Sequence, residues 1–553
     1  MRHDTRVWAR GMAILLAAAL VLAVSGGAIG APAPASRSPV KVLLVAPAVT
    51  YDPLRWESTL LAANAWKQLG IDVEVRPFAD FASLTARHSR EPFDFDAFVS
   101  GYVGRPERLD PDALLYGPFH SKGIFDNGPN YFGYANPEYD RIVESQRKTV
   151  DLKQRQALVY KAQEILAKDA PEITLFHRQE MFAYNTRRFT GMVPMVGRGL
   201  WNPWTVLEAK PIGSDKTFRM GWATDIDGTN PLSITSAVES LRLVYDFLAR
   251  VDKDGQPIPW AAESWRKVTD TQVDVTLRQG MTFHDGRPVT VEDVVFSFEF
   301  IRQNGTAPYF SGALEPIRSV RAVNDRVIRF VLHYPYPPLL MVTFTQIPIL
   351  PKHIWQDVVS RERVETPAKW NNPNPIGSGP YQFGHWRRGE ELLLRRYARH
   401  FHPPQAGAFL AVKYASADAV FQAIVKGEVD IPDRSITSLQ IEEAKRASNV
   451  KLVSLPDFGV FYMGFNLRRP PFNNPKFRDA IKHTYDWKTI VEAALGGFGQ
   501  PGTGMIALVN KFWHNPAWEQ WLKTDYRFDL ALARQMLQQA GYTWDAQGRL
   551  LHP

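Results

Sequence analysis

Residues 283–294 read Phe283-His284-Asp285-Gly286-Arg287-Pro288-Val289-Thr290-Val291-Glu292-Asp293-Val294. His284-Asp285-Gly286 is turn chemistry: aspartate bonds its own backbone and glycine tolerates the left-handed region. Thr290 with Asp293 three residues on is a capping-box-like helix start. Val291, Val294, Val295 and Phe298 then share one helical face. Just upstream, Val273, Val275 and Leu277 alternate with Asp274 and Thr276, the pattern of a half-buried strand. Strand, turn and capped helix thus follow one another, and similar signals recur along the chain. Asp151 caps a helix with Leu158, Ala162, Ile165 and Leu166 on one stripe, ended by Pro171. Phe421, Ile424 and Val425 form a stripe stopped by Gly427, before the apolar segment 429–431. Asn474 and Pro475 open a helix carrying Phe477 and Ile481. Leu530, Ala533, Met536 and Leu537 line another that ends at Gly541. Interleaved strands and helices place the chain in the α/β or α+β class.

The chain has 553 residues, about three to four compact units by the length prior of ~150 residues each. Hydrophobic residues are 45% and charged residues 22%, which excludes a disordered chain and a many-pass membrane protein. There is no cysteine, so disulfides, thiolate metal sites, a cysteine nucleophile and a lipidated cysteine anchor are excluded. The net charge is +8, modest for this length, and nucleic acid is not the expected partner. The 16 tryptophans, 19 tyrosines and 32 phenylalanines suit an aromatic-lined cleft, although most will be core.

Residues 1–35 read as an export signal, with an uncleaved N-terminal anchor as the alternative. Arg2, Arg6 and Arg10 form a basic start, and 11–24 is an apolar run short for a membrane span. Small residues at Ala28-Ile29-Gly30 or Ala33-Pro34-Ala35 offer cleavage sites. An exported, periplasmic protein that is not a lipoprotein is expected. Residues 210–216 are turn-rich and read as a linker or long loop.

No catalytic motif survives inspection. Gly497-Phe498-Gly499-Gln500-Pro501-Gly502 matches a dinucleotide-binding string, but Pro501 removes an amide and no helix start follows. His400-Phe401-His402 brings two imidazoles close without cysteine or carboxylate partners in sequence. Asp94 and Asp96 alternate with Phe93, Phe95 and Phe98, as a strand edge entering a core does. No metal, cofactor or catalytic residue is expected.

Four stretches carry a resemblance. Residues 283–294 are similar to F-H-D-G-x-P-(L/V)-T-A-E-D-V. Pro375-Ile376-Gly377-Ser378-Gly379-Pro380-Tyr381 is similar to P-V-G-T-G-P-Y. Ala423-Ile424-Val425-Lys426-Gly427-Glu428-Val429-Asp430-Ile431 resembles L-x-x-G-E-(V/I)-D. Phe465-Asn466, Pro470-Pro471-Phe472 and Lys476-Phe477-Arg478-Asp479-Ala480-Ile481 resemble F-N-x-x-x-P-P-F-x-D-x-R-V-R-x-A. These strings, in this order, are those of the family 5 extracellular solute-binding proteins of ABC importers, the peptide and nickel type. The resemblance implies an α/β, two-lobed clamshell of the type II (cluster C) periplasmic binding protein kind, with mixed sheets.

The order is unusual. In the family the F-H-D-G segment lies near the mature N-terminus, whereas here it follows residue 216. Residues 40–210 instead resemble the family's C-terminal third, through Leu69-Gly70-Ile71-Asp72-Val73-Glu74-Val75, Leu109-Asp110-Pro111-Asp112, Asn130-Tyr131 to Tyr139-Asp140, and Asp169-Ala170-Pro171-Glu172-Ile173. Pro553 followed by Pro39-Val40-Lys41 would read as one continuous family chain. The expectation is a circular permutant. Lobe II would hold 39–180 and 470–553, lobe I would hold 212–469, and 181–211 would return to lobe I, with crossovers near 181 and 470. The alternatives are a rearranged gene and a domain-swapped array; completion within a monomer needs only one loop to close.

The resemblance implies cleft-facing positions at Trp222, Asp225, Tyr245, Phe461, Tyr462, Phe465, Asn466, Tyr102 and Arg105. For each aromatic, core packing is the alternative, and for Asn466 it is turn capping. Dipeptide-binding members carry an aspartate where Arg105 stands, and arginine suits a carboxylate or phosphate instead. Glu107 or Asp110 could take over the amine-binding role. The expected function is capture of a peptide-like small solute and delivery to an ABC transporter permease and ATPase complex, without enzymatic turnover. The alternatives are a non-peptide solute (an anionic compound, a saccharide or a metal chelate), an envelope receptor accessory, and an envelope hydrolase.

Overall fold

Leu44 and Val45 are neighbours in the strand Lys41–Pro47, so their side chains leave opposite faces. Leu44 enters one apolar core and Val45 another. Val99 and Phe98 of Ala97–Tyr102 divide the same way, as do Met463 and Tyr462 of Val460–Phe465. A sheet covered on both faces needs apolar residues at successive positions, and these strands read accordingly as continuous apolar runs. The computed structural model describes residues 37–553 except 196–197 and 236–237; the export signal read at 1–35 lies outside the described residues.

The two-faced sheet has seven strands. Its order is Val450–Pro456, Glu172–Asn185, Val460–Phe465, Ala97–Tyr102, Lys41–Pro47, Asp72–Phe78, with Gly499–Pro501 also paired to Glu172–Asn185. Lys41–Pro47 runs parallel to both neighbours. Val460–Phe465 runs antiparallel between strands from the first third of the chain, with Val460 opposite Tyr102 and Met463 opposite Ile173. The two ends of the chain meet beside this sheet. Pro39 bridges Leu551, Val40 N donates to Leu550 O at 2.7 Å, and Leu550 N donates to Gly70 O at 2.7 Å.

A second core gathers on two smaller sheets. One has five strands in the order Tyr381–Arg387, Glu391–Arg396, Ala408–Lys413, Thr217–Trp222, Ile431–Pro432. The other has four, Ala262–Thr269, Gln272–Leu277, Val327–Leu332, Ile317–Ala322. The expected half-buried strand is the second of these, and the helix that follows spans Val291–Asn304. Thr290 caps it and Asp293 closes a capping box, while Asp293 also accepts from Lys352 N at 3.0 Å. His284 joins two of the quoted motifs: its N–H donates to Gly377 O at 2.8 Å, and its Nε2 lies 3.0 Å from Gly379 O. Gly377 has no room for a side chain, because a Cβ there would collide with Val244 O.

The strand Glu172–Asn185 links the two cores. Its first residues pair with Val460–Phe465, and 179–185 pair with Val450–Pro456. At its far end Ala183 packs with Phe421 and Ala444, and Asn185 Nδ2 donates to Ile424 O at 2.8 Å. Phe189, Val206 and Leu207 then join the smaller-sheet core. The second crossover is not near residue 470, and 212–469 is not a single lobe. All six residues of Val460–Phe465 are buried inside the seven-stranded sheet, so the chain crosses at 457–459. Six successive buried positions are satisfied only where both faces are covered.

Glu172 is buried in this linking strand, and Thr174 Oγ1 donates to it at 3.0 Å. Burial pushes its carboxyl up to about 8, against the effect of the Thr174 hydrogen bond. The unfolded chain ionises this group near 4.5, so between the two values the folded state holds more protons. Its contribution therefore falls as pH rises from about 4.5 to about 8, by up to ~1.4 kcal/mol per pH unit. Glu172→Gln is expected to remove this slope and to exceed the parent in stability at pH 8, read from urea midpoints at pH 5, 6.5 and 8.

Candidate functional site

The two halves touch through charged groups. Arg147 and Asp112, on helices beside the seven-stranded sheet, pair at 3.0 Å and are almost wholly buried. Arg147 also donates to Glu315 Oε2 at 3.0 Å and to Gly312 O at 3.1 Å, both of the smaller-sheet half. Tyr336 of that half donates to Asp112 Oδ2 at 3.0 Å. Burial works against the Arg147 charge, but Asp112 and the tyrosines around it hold it charged, well above its ordinary range. On another side Arg434 donates to Tyr51 O at 2.9 Å across the same divide. A carboxylate stands at each crossover: half-buried Glu180 in the linking strand and buried Asp457, two residues before Gly459. Loss of water raises both above the usual carboxylate range, with Asp457 adding to the rise of Glu180, while Arg178 and Arg198 oppose it in both.

A small cavity, open to solvent, lies where Arg105, from the seven-stranded-sheet half, faces the smaller-sheet half. Arg198, Glu239, Arg242 and Arg250 also line it. Arg105 and Glu239 stand 3.5 Å apart, and Arg242 and Glu239 3.6 Å apart. Burial would raise the Glu239 carboxyl, but Arg242, Arg198 and Arg105 outweigh it and bring it down to about 2. The arginines are braced by rings: Arg242 lies 4.5 Å from the Phe247 centroid, and Arg250 4.5 Å from that of Trp260. Arg250 is 8% exposed, and burial brings its guanidinium down to about 10. An adjoining apolar cavity is lined by Ile234, Val238, Leu241, Tyr245 and Phe310, and shares Arg242 and Phe247 with the first.

Of the nine residues expected in the cleft, Arg105 lines the charged cavity and Tyr245 the apolar one. Tyr245 is buried, and its hydroxyl accepts from Asn372 Nδ2 at 3.3 Å. The other seven line neither of these two cavities. Phe461 stacks on Phe176 at 5.1 Å and Phe465 on Phe472 at 4.4 Å, both in the core on one face of the larger sheet. Tyr462 stacks with Tyr102 at 5.6 Å on the opposite face. Trp222 is buried in the smaller-sheet core. Asp225 anchors a hairpin, accepting from Trp386 Nε1 at 3.0 Å and Gly389 N at 2.7 Å. Asn466 caps a turn, donating to Phe95 O at 3.0 Å and accepting from Arg468 N at 3.2 Å. His400 lies 3.1 Å from Asp246 Oδ1, and His402 lies 2.8 Å from Glu208 Oε1.

Sequence reading missed Arg198, Glu239, Arg242 and Arg250. Glu239 and Arg242 stand three apart, and Arg242 and Arg250 flank the buried stretch 243–249, which is apolar except for Asp246. Charges embedded in such a stretch were the available signal, since buried charge needs a partner or a role.

The sequence model of the bacterial extracellular solute-binding proteins, family 5 Middle, matches residues 256–551, more than half of the chain. The chain belongs to this family. The family match ends at Leu551, which bridges Pro39, and residues 41–185 supply the other strands of the sheet into which it runs. The oligopeptide-binding protein AppA of Bacillus subtilis is 26% identical over 333 residues, covering 60% of this chain and 58% of that protein. The dipeptide-binding protein of Escherichia coli is 24% identical over 308 residues, covering 51% of this chain and 55% of that protein. The chain thus spans little more than half the length of these relatives. Among solved structures, NikZ from Campylobacter jejuni in complex with Ni(L-His) aligns with a TM-score of 0.49 at 21% identity, over 61% of this chain and 66% of that one. AppA from Bacillus subtilis with a nonapeptide aligns with a TM-score of 0.49 at 22% identity, over 60% and 66%.

Removing one partner of a buried pair strands the other charge, at a cost of about 3–5 kcal/mol. Arg147→Met is therefore expected to destabilise the folded chain by about 3 kcal/mol, measured by urea unfolding at neutral pH.

Proposed function

We propose that this chain is an exported solute-binding protein that captures a peptide-like solute between its two halves and hands it to an ABC importer permease. The observation that carries the reading is the cavity between them, with Arg105 on one side and Glu239, Arg242 and Arg250 on the other. A solute that touches both sides binds the closed arrangement more tightly than an open one, and that difference is what shifts the population toward closure. Family membership supports the binding role, and the names of the similar proteins support peptides. Among the described residues no helix is long and apolar enough to cross a membrane. The protein works as a monomer and turns over no substrate.

Titration calorimetry of the full chain with peptides of two to nine residues and mixed charge tests this. One peptide per chain, a change in tryptophan fluorescence and no cleavage products are expected. Binding of no peptide, or peptide hydrolysis, overturns it.

The same reading includes the permuted order. The bridge between Pro39 and Leu551 and the shared seven-stranded sheet support it, because they put the chain ends where one continuous backbone could run. A chain with 553 joined to 39 by a short linker and opened within 212–216 is expected to melt cooperatively within a few degrees of the parent and to bind the same peptides. A relinked chain that does not fold overturns the permuted reading.

A further inference from the structure

The charged cavity is lined by more arginines than carboxylates, while Asp246, outside the lining, also acts on Arg250. Four arginines line it, Arg105, Arg198, Arg242 and Arg250, against one carboxylate, Glu239. Taken alone, ion-pair arithmetic would permit a surface like this to be a structural network. The hydrogen bonding of Arg250 argues otherwise. Its Nε and Nη2 are buried and have no hydrogen-bond partner among the described residues. Two buried guanidinium nitrogens without acceptors are costly even with the Asp246 charge nearby, and the cost is recovered when an anion supplies the acceptors. Its plane lies over Trp260, so its orientation is fixed before a ligand arrives. Glu239 sits among these arginines. Its Oε1 is 3.5 Å from Arg105 and 3.6 Å from Arg242, beyond good charge-assisted hydrogen bonds, and has no hydrogen-bond partner among the described residues. A small apolar cavity that shares Arg242 and Phe247 sets an uncharged surface beside the charged one.

We propose that this cavity selects solutes bearing a group of at least two negative charges, a phosphate or clustered carboxylates, gripped by Arg242, Arg250 and Arg198 on one side and by Arg105 on the other. Glu239 is the internal stand-in for that group: it tempers the arginines until a stronger anion displaces it. The proposal rests on the binding reading above and specifies the chemistry of its solute.

The test titrates the full chain with tri-glutamate, tri-alanine, tri-lysine, citrate and inorganic phosphate, following tryptophan fluorescence and heat. Tri-glutamate is expected to bind at least about tenfold more tightly than tri-alanine, consistent with one or two charge-assisted hydrogen bonds. Tri-lysine should bind least. Raising salt should narrow the gap between tri-glutamate and tri-alanine. Citrate competing with tri-glutamate assigns clustered carboxylates, and phosphate competing assigns phosphate. Arg250→Met should weaken tri-glutamate about tenfold more than it weakens tri-alanine. Glu239→Gln should tighten tri-glutamate several-fold, a gain that loss of folding cannot mimic. Equal affinity for tri-glutamate and tri-alanine, with neither variant altering their ratio, overturns the anion site and leaves the binding reading standing. Binding of citrate or phosphate with no peptide bound keeps the anion site and removes the peptide reading. No binding by any of the five probes overturns the anion site.

Discussion

Backbone hydrogen bonds from Val460–Phe465 reach Ala97–Tyr102 on one side and Glu172–Asn185 on the other. Everything else in the half built on the seven-stranded sheet depends on that insertion. Without it the front strands would present two open edges, each a row of unsatisfied donors and acceptors. With it, apolar residues on both faces find cores, and the strand that leaves for the smaller half starts from a fixed position. The two crossovers at 178–180 and 457–459 then lie side by side, so the cavity between the halves is framed by neighbouring strands rather than by separate linkers.

Charge organises the junction between halves more than apolar contact does. Arg147, Asp112, Tyr336 and Glu315 form one group of contacts and Arg434 with Tyr51 another. Such contacts are directional and can be exchanged for water when the halves part, unlike a merged hydrophobic core. The arginines of the cavity differ from these structural ones. Arg147 is saturated by acceptors from both halves, whereas Arg250 is braced by a ring and short of acceptors.

The sequence made the architecture legible where local rules and burial agree. The capped helix after Thr290, the stop at Gly427 and the close approach at Gly377 follow from residue chemistry, and the structure contains all three. The boundary near 470 was misplaced because Val460–Phe465 has no polar alternation to mark its sheet, and proline punctuation at 470–471 drew the division too late. Most expected cleft aromatics are core residues for a related reason: a phenylalanine at a sheet position reads the same whether it faces a ligand or another ring. Phe465 against Phe472 and Tyr462 against Tyr102 are ring pairs that only the three-dimensional arrangement reveals. The arginine cluster was legible only in pieces: Arg105 was expected in the cleft and Arg242 and Arg250 are close in sequence, but Arg105, Arg198 and this pair come from distant parts of the chain and meet only through folding.

The placement of the central strand also bears on biosynthesis. Ribosomes deliver the amino-terminal strands first, yet their shared neighbour is made only when nearly five-sixths of the polypeptide exists. Until then the early strands are held apart from their partner by almost the whole intervening half, and contacts at such separation form slowly. Nascent chains of this protein must therefore be kept from sticking to one another for most of their synthesis, a demand that a chaperone or prompt passage through a translocation channel would meet.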